Sequence, residues 1–168
     1  STDRGTTLEK SGVKIYTCEH VLAALVGMDV DNAILEMNSA EPPIMDGSSK
    51  FFVEAIEKAG VVEQEQPREY FAVTEVVNFT DPQTGSEITI IPADTYEVTT
   101  MVDFGTNVLG TQNAVLKNIS DFKNEISSAR TFSFLHELEM LLDAGLIKGG
   151  DISNAIVYVD KELTPETA

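Results

Sequence analysis

The chain has 168 residues, of which 42% are hydrophobic and 23% are charged, so it can bury a core and is not a disordered tail. Its 11 basic and 28 acidic residues give a net charge of −17, which excludes nucleic acid as a favourable partner. No apolar run reaches the roughly 18 residues of a membrane helix, and the first residues lack the apolar stretch of a signal peptide. We therefore expect a cytoplasmic protein without stable membrane insertion.

The cysteine and histidine counts restrict any metal site. Cys18 is the only cysteine, so the chain forms no internal disulfide and no site built from several thiolates. His20 and His136 are the only histidines, which excludes a three-histidine site. A metal centre in this chain must therefore combine histidine with carboxylates.

The first 60 residues predict two helices with a strand between them. Apolar residues at helical spacing indicate a short helix from near Glu19, with Thr17 as its cap and Gly27 at its end. Residues 32–37 form a brief apolar run that ends before two prolines, which indicates a strand. A second helix is expected to begin after residues 48–49, because either serine there can cap it.

A polar segment separates this part from a region with a β pattern. Residues 61–68 are rich in Glu and Gln and predict a linker and a domain boundary. Beyond the linker, residues 70–78 and 87–91 flank a Pro- and Gly-containing turn, which predicts a hairpin. Residues 96–103 continue the β pattern, and residues 105–110 read as a loop.

The last 50 residues predict two more helices and a strand. Asp121 is suited to cap a short helix, and residues 134–144 carry a leucine stripe that indicates a longer one. Residues 154–159 read as a final strand. Helices and strands follow one another without a regular βαβ alternation, so the predicted fold class is α+β.

The Glu19-His20 pair at the start of the first helix is the first candidate for chemistry. Neighbouring helical residues point about 100° apart, so the imidazole can hold a metal while the carboxylate faces water at that metal. The ordinary explanation is that a glutamate in the first turn is favoured by the helix dipole and that the histidine is solvated. The pair by itself does not decide between these alternatives.

The second histidine invites comparison with the helical zinc-protease motif, in which two histidines lie four residues apart around a glutamate. His136-Glu137 begins like that motif, but position 140 is Met140. We therefore expect His136 on the polar side of its helix.

Two further segments have both a structural and a functional interpretation. The Asp46-Gly47-Ser48 turn either caps the second helix or lines a site. Residues 130–134 place a hydroxyl between an arginine and two phenylalanines. The structural interpretation of this segment is that Thr131 or Ser133 caps the next helix.

These separated strings, taken together and in order, resemble the UDP-3-O-acyl-N-acetylglucosamine deacetylases, the zinc amidases of lipid A synthesis. They are Thr17-Cys18-Glu19-His20-Val21-Leu22-Ala23-Ala24-Leu25, Asp31-Asn32, Pro43-Ile44-Met45-Asp46-Gly47-Ser48 with Phe52, Ala129-Arg130-Thr131-Phe132 with Phe134, Gly145-Leu146 with Gly149-Gly150, and Asn154-Ala155-Ile156-Val157. The resemblance covers nearly the whole chain and is looser over residues 61–128.

The resemblance implies a fold of two α+β domains with the active site between their helix layers. On this basis residues 1–66 are the C-terminal half of the first deacetylase domain, and residues 67–168 are the N-terminal part of the second. The sandwich is therefore expected to be incomplete at both ends. The absence of an initiator Met agrees with a trimmed chain or a fragment.

The resemblance also implies roles for individual residues. His20 matches a zinc ligand, Glu19 the general base, and Thr131 the hydroxyl that stabilises the oxyanion. The remaining matches are to substrate-binding positions for the UDP-linked acylated amino sugar: Phe132 near the sugar and acyl chain, Leu138 and Ile147 along the acyl passage, and Phe104 near the uridine.

The departures from the family pattern lead to further expectations. The family's His-Lys-x-x-x-Asp segment, which supplies two more zinc ligands, does not occur in this sequence. We therefore expect this chain alone to be inactive, to bind zinc poorly, and to self-associate through exposed sheet edges. A fused hydroxyacyl carrier-protein dehydratase, which some family members have, is compatible with the sequence. The alternative is a non-catalytic α+β binding module that shares the fold.

Overall fold

The computed structural model describes residues 5–143 and 149–159, and the elements below belong to these ranges. In chain order they are β1 (Leu8–Lys10), β2 (Val13–Ile15), α1 (Glu19–Gly27), α2 (Lys50–Ala59), β3 (Val77–Thr80), β4 (Glu87–Ile90), β5 (Val98–Asp103), β6 (Thr111–Leu116), a 3-10 turn (Ile119–Asp121), α3 (Phe122–Glu125), β7 (Phe132–Phe134), α4 (Leu135–Asp143) and β8 (Ile156–Tyr158). This mixed content confirms the α+β class.

The strands pair only as two-stranded sheets in the part of the chain that is described. β1 with β2, β3 with β4 and β5 with β6 are antiparallel pairs of sequence neighbours. β7 and β8 form a parallel pair across the chain segment that contains α4. The β3–β4 pairing confirms the predicted hairpin, although β3 begins later than the pattern suggested.

The core lies where α1, α2, α3 and β6 meet. Its buried side chains are Ala24, Val53, Leu116 and Phe122. Gly27, at the end of α1, allows the close contact with α3, because a Cβ atom there would lie 2.0 Å from the Phe122 ring. The packing therefore depends on a small residue on α1 that faces a large one on α3.

Both predicted helices of the first 60 residues are present, but two details differ from the sequence analysis. Thr17 does not cap α1, since the N-cap is Cys18 and Thr17 has a positive φ of 51°. Residues 32–37 form no strand. They are exposed, and a strand needs a partner for its backbone groups that a local apolar run cannot supply.

The sequence analysis also missed three strand features. The β1–β2 hairpin turns at Ser11 and Gly12, both with positive φ, and β6 pairs with β5 over six residues. β7 covers Phe132–Phe134, where the sequence suggested only a cap before a helix. The alternation of apolar and polar residues in Phe-Ser-Phe is the pattern typical of a strand.

Candidate active site

Glu19 and His20 form the first turn of α1, and the backbone before the helix holds the glutamate. The Glu19 Oε2 atom accepts a hydrogen bond from the Thr6 N–H at 2.8 Å. The Cys18 N–H and thiol both donate to the Thr6 carbonyl, at 3.3 and 3.4 Å. Both Glu19 and His20 are half-buried, so both residues remain partly accessible, and the hydrogen bond from Thr6 holds the Glu19 carboxylate.

The loops before α1 and before α2 each contain a residue in the left-handed region. Thr17 has a φ of 51° and Met45 a φ of 54°, and neither residue is a glycine. Such conformations are costly and persist only where the surrounding structure enforces them. The Thr17 hydroxyl donates a hydrogen bond to the Glu41 carboxylate, which ties the loop before α1 to the loop that leads to Asp46.

The turn before α2 is held by its own side chains. The Asp46 Oδ1 atom accepts hydrogen bonds from the Ser48 N–H at 3.1 Å and from the Ser48 hydroxyl at 2.6 Å. Ser48 is completely buried, and its Oγ accepts from the Lys50 N–H at 3.1 Å. Asp46 therefore supports the turn directly instead of capping the helix itself.

Residues 47–49, called the junction segment below, contact two regions far apart in sequence. The Ser49 hydroxyl donates to the His20 carbonyl at 2.9 Å. The Gly47 carbonyl accepts from the Thr131 N–H at 2.7 Å. The structure thus connects His20 with Thr131, two residues that the sequence analysis selected separately.

Gly47 also lies against the loop before β8. Its φ is +81°, and a Cβ atom would lie 2.0 Å from the Asn154 carbonyl oxygen and 3.0 Å from the Thr131 Cγ2 atom. Only glycine tolerates both the conformation and this close approach. Nothing in the local sequence predicts the contact, because Asn154 is more than 100 residues away.

Arg130 links the same two loops. Its Nε donates to the Asp46 carbonyl at 2.6 Å, and its Nη2 donates to the Ile152 carbonyl at 3.1 Å. Hydrogen bonds from Ser153 hold the pKa of Asp151 below its usual value, and the charge of Arg130 acts in the same direction. The backbone around Thr131 is therefore held on both sides, and Thr131 is exposed directly before β7.

An aromatic cluster follows Thr131. Phe104 and Phe132 meet edge to face with their ring centroids 5.3 Å apart, and Tyr158 lies 5.5 Å from Phe132. Phe134 contacts the same rings, and His136 stacks on Phe134 at 5.5 Å. The structure therefore brings the two aromatic residues expected near substrate into contact.

The sequence analysis missed Tyr158 as a member of this cluster. Tyr158 is opposite Phe134 in the β7–β8 register, and a parallel pairing of that kind cannot be read from the chain locally. Leu138 is half-buried on α4. Ile147 lies outside the described residues.

A zinc site needs three protein ligands for catalysis, and the described residues do not provide such a set. Within residues 5–143 and 149–159, no group of three or more His, Cys, Asp or Glu side chains is arranged to hold a metal ion. His20 and Glu19 fit one ligand and one neighbouring base, but they do not form a complete site. No helix within the same ranges is long and apolar enough to cross a membrane.

Comparison with known proteins identifies the class to which this fold and these residues belong. The sequence profile described as UDP-3-O-acyl N-acetylglycosamine deacetylase (LpxC) matches residues 1–167. The chain therefore belongs to the UDP-3-O-acyl-N-acetylglucosamine deacetylase family, which confirms the resemblance stated from its motifs.

Individual relatives agree with this assignment. The chain is 43% identical over 166 residues to the bifunctional enzyme LpxC/FabZ of Porphyromonas gingivalis, covering 99% of this chain and 36% of that protein. It is 45% identical over 161 residues to the bifunctional enzyme LpxC/FabZ of Chlorobaculum tepidum, covering 95% and 34%. It is 40% identical over 164 residues to the UDP-3-O-acyl-N-acetylglucosamine deacetylase of Hahella chejuensis, covering 96% and 54%. The chain thus spans between a third and just over half of the length of these relatives.

Proposed function

We propose that the full-length protein containing this chain is a zinc-dependent deacetylase of the cytoplasm. It hydrolyses the N-acetyl amide of UDP-3-O-acyl-N-acetylglucosamine in lipid A synthesis. Family membership supports the reaction. The observation that supports the site is the junction segment, which hydrogen-bonds to both His20 and Thr131.

In this proposal Glu19, His20 and Thr131 perform different tasks. His20 is one zinc ligand, and the metal supplies Lewis-acid activation of water when it is bound in the full-length protein. Glu19 accepts the proton of the attacking water, and the Thr6 N–H fixes its carboxylate through Oε2. The Thr131 hydroxyl donates to the negative charge that develops on the amide oxygen.

The aromatic cluster and α4 bind the substrate in this proposal. Phe132 is 39% exposed and offers a ring face to the sugar and the acyl chain. Phe104, in contact with Phe132, lies near the uridine. Leu138 and Ile147 line the passage for the acyl chain.

The proposed domain organisation follows from the same reasoning. Residues 1–66 belong to the first domain and residues 67–168 to the second, in a two-domain sandwich that this chain does not complete. The other zinc ligands are then the His and Asp of the family's His-Lys-x-x-x-Asp segment, which this sequence does not contain. On this proposal the 168-residue chain by itself is inactive and binds zinc poorly.

Glu19→Gln in the full-length protein tests the site. The amide cannot accept the proton, so we expect kcat to fall at least about 100-fold while about one zinc per molecule is retained. His20→Ala should instead lose the zinc. The matched control is Glu54→Gln, which changes an exposed glutamate on α2 and should leave both properties unchanged.

Two outcomes of this experiment would contradict the proposal. Unchanged turnover in Glu19→Gln would remove the base assignment, and normal zinc content in His20→Ala would remove the ligand assignment. If the unmodified full-length protein neither binds zinc nor cleaves the amide, a non-catalytic binding module is the better description.

A further inference from the structure

Ser49 is the N-cap residue of α2, yet its side chain does not cap that helix. Serine is favoured at this position because its oxygen normally accepts a hydrogen bond from the first helical turn. Here the hydroxyl instead donates to the His20 carbonyl on α1, at 2.9 Å. Ser48, one residue earlier, supplies a side-chain acceptor for the first N–H of α2, that of Lys50.

The environment of Ser49 makes this hydrogen bond effective. Ser49 is only 6% exposed, so water does not compete strongly for its hydroxyl. Its N–H donates to the Ser127 carbonyl at 3.0 Å, which fixes the backbone of the serine as well. The Ser49 side chain therefore links α1 to a residue whose own backbone is held by a hydrogen bond.

The other end of the junction segment is fixed equally well. The Gly47 carbonyl accepts from the Thr131 N–H, and Gly47 packs so closely against the Asn154 carbonyl that no Cβ atom fits between them. The backbone of His20 is thus connected to the backbone of Thr131 by two hydrogen bonds and the three residues of the junction segment. Catalytic groups must be held to within about 0.5 Å of their working geometry.

We propose that Ser49 is a positioning residue of the deacetylase site, which sets the backbone of His20 relative to Thr131. This inference depends on the proposed function, since it assigns a role within the same site. Ser49 does not touch the metal or the substrate in this role. It acts through His20, as residues outside a metal's ligand set commonly do.

Ser49→Ala in the full-length protein tests the inference against a closely matched control. Ser127→Ala removes an equally buried serine hydroxyl, at 4% exposure, that also donates to a helix carbonyl, that of Lys123. Both substitutions delete one buried hydrogen bond, so a loss of thermal stability of similar size is expected from each. Only the first removes the bond to His20.

The readouts that separate the two variants are zinc affinity and the division between kcat and KM. We expect Ser49→Ala to weaken zinc binding about 10-fold and to lower kcat by a similar factor, with KM unchanged. Ser127→Ala should match the unmodified protein in all three. Zinc affinity is measured by competition with a chelator and does not require turnover.

Each outcome decides the inference. If Ser49→Ala and Ser127→Ala have the same zinc affinity and kcat, Ser49 is merely structural and the inference is wrong. If Ser49→Ala does not fold, Ser49→Thr is decisive, because it retains the hydroxyl. Zinc binding within about twofold of the unmodified protein supports the role, and 10-fold weaker binding by the folded Thr variant contradicts it.

The failure of this inference can be told apart from the failure of the proposed function. The unmodified full-length protein is assayed first, with the same zinc competition and the same amide substrate. If it shows neither zinc binding nor cleavage, the proposed function fails. If it shows both and the two serine variants agree with each other, only the role of Ser49 fails.

Discussion

At the scale of single residues, Gly47 combines two constraints that are usually separate. Its φ of +81° strains any residue with a Cβ, and the space that the Cβ would need is occupied by the Asn154 carbonyl. Gly12 has the same φ of +81°, but nothing lies within 4 Å of its Cβ position. Alanine substitutions at the two glycines therefore distinguish the free-energy cost of a left-handed backbone from the free-energy cost of a steric clash.

We predict that Gly47→Ala in the full-length protein lowers the free energy of unfolding by roughly 3 kcal/mol or more. Gly12→Ala should cost about 1 to 2 kcal/mol, from the left-handed backbone alone. Urea unfolding of both variants measures the difference. Equal losses of unfolding free energy in the two variants would show that the junction segment can move away from Asn154 without a loss of stability.

Residue-scale features were predictable where they depend on side-chain type in a local motif. Glu19-His20 and Thr131 were selected from motifs, whereas the role of Ser49 was not. Ser49 reads as a helix cap, and its hydroxyl bonds instead to a residue 29 positions earlier. That choice depends on how α1 packs against α2, which local sequence does not encode.

At the scale of elements, the Arg68 side chain connects the segment after α2 to the residues that follow α1. Arg68 donates from Nη1 to the Asp29 carboxylate at 2.6 Å and from Nη2 to the Asp31 carboxylate at 2.6 Å. These two acceptors raise the pKa of Arg68 well above its usual value. An arginine guanidinium is charged at any pH near neutrality, so it is available for both ion pairs there.

We predict that Arg68→Gln speeds proteolytic cleavage of residues 61–68 several-fold, while overall stability falls by less than about 1 kcal/mol. The ion pairs are largely exposed, so they hold a local segment more than the whole fold. Lys14→Gln breaks the exposed Lys14–Glu9 pair elsewhere and serves as the control.

Salt provides an independent check on the same contact. Screening weakens exposed ion pairs, so about 0.5 M NaCl should speed cleavage of the unmodified protein towards the rate of Arg68→Gln. If the variant and the unmodified protein are cut at equal rates in low salt, Arg68 does not hold this segment.

Helices were predicted better than strands at this scale. α1 and α2 follow from apolar spacing and from Gly60, whose φ of +79° ends α2 as expected. Residues 32–37 have an equally apolar composition but form no strand. A helix satisfies its backbone internally, whereas a strand depends on a partner that can be distant in sequence.

At the scale of the whole molecule, the β3–β4 hairpin presents one entirely apolar face. Val77 pairs with Ile90, and Phe79 pairs with Ile88, so all four side chains lie on the same side. Each is between 47% and 62% exposed. A two-stranded sheet with a bare apolar face is marginal in water unless something packs on it.

We predict that the 168-residue chain on its own self-associates through this face. Phe79→Lys should shift it towards the monomer in a sedimentation velocity series over concentration. Thr89→Lys, on the opposite face of β4, adds the same charge and is the control. The net charge of −17 opposes association, so added salt should strengthen it in the unmodified chain.

Equal behaviour of Phe79→Lys and Thr89→Lys would show that the charge, and not the apolar face, controls association. A monomer at all concentrations and salt levels would remove the prediction of self-association altogether.

The sequence by itself indicated the α+β class, through composition and local periodicity, and the family, through motifs of a few residues. The roles proposed for Glu19, His20 and Thr131 follow from the resemblance to that family. Only the tertiary structure decided how the motifs meet: Ser49 bonds to His20, and Gly47 lies between Thr131 and Asn154. The Arg130 side chain reaches a carbonyl 84 residues away. Such contacts follow from packing among α1, α2 and the β7–β8 pair, since each local segment alone is compatible with many partners.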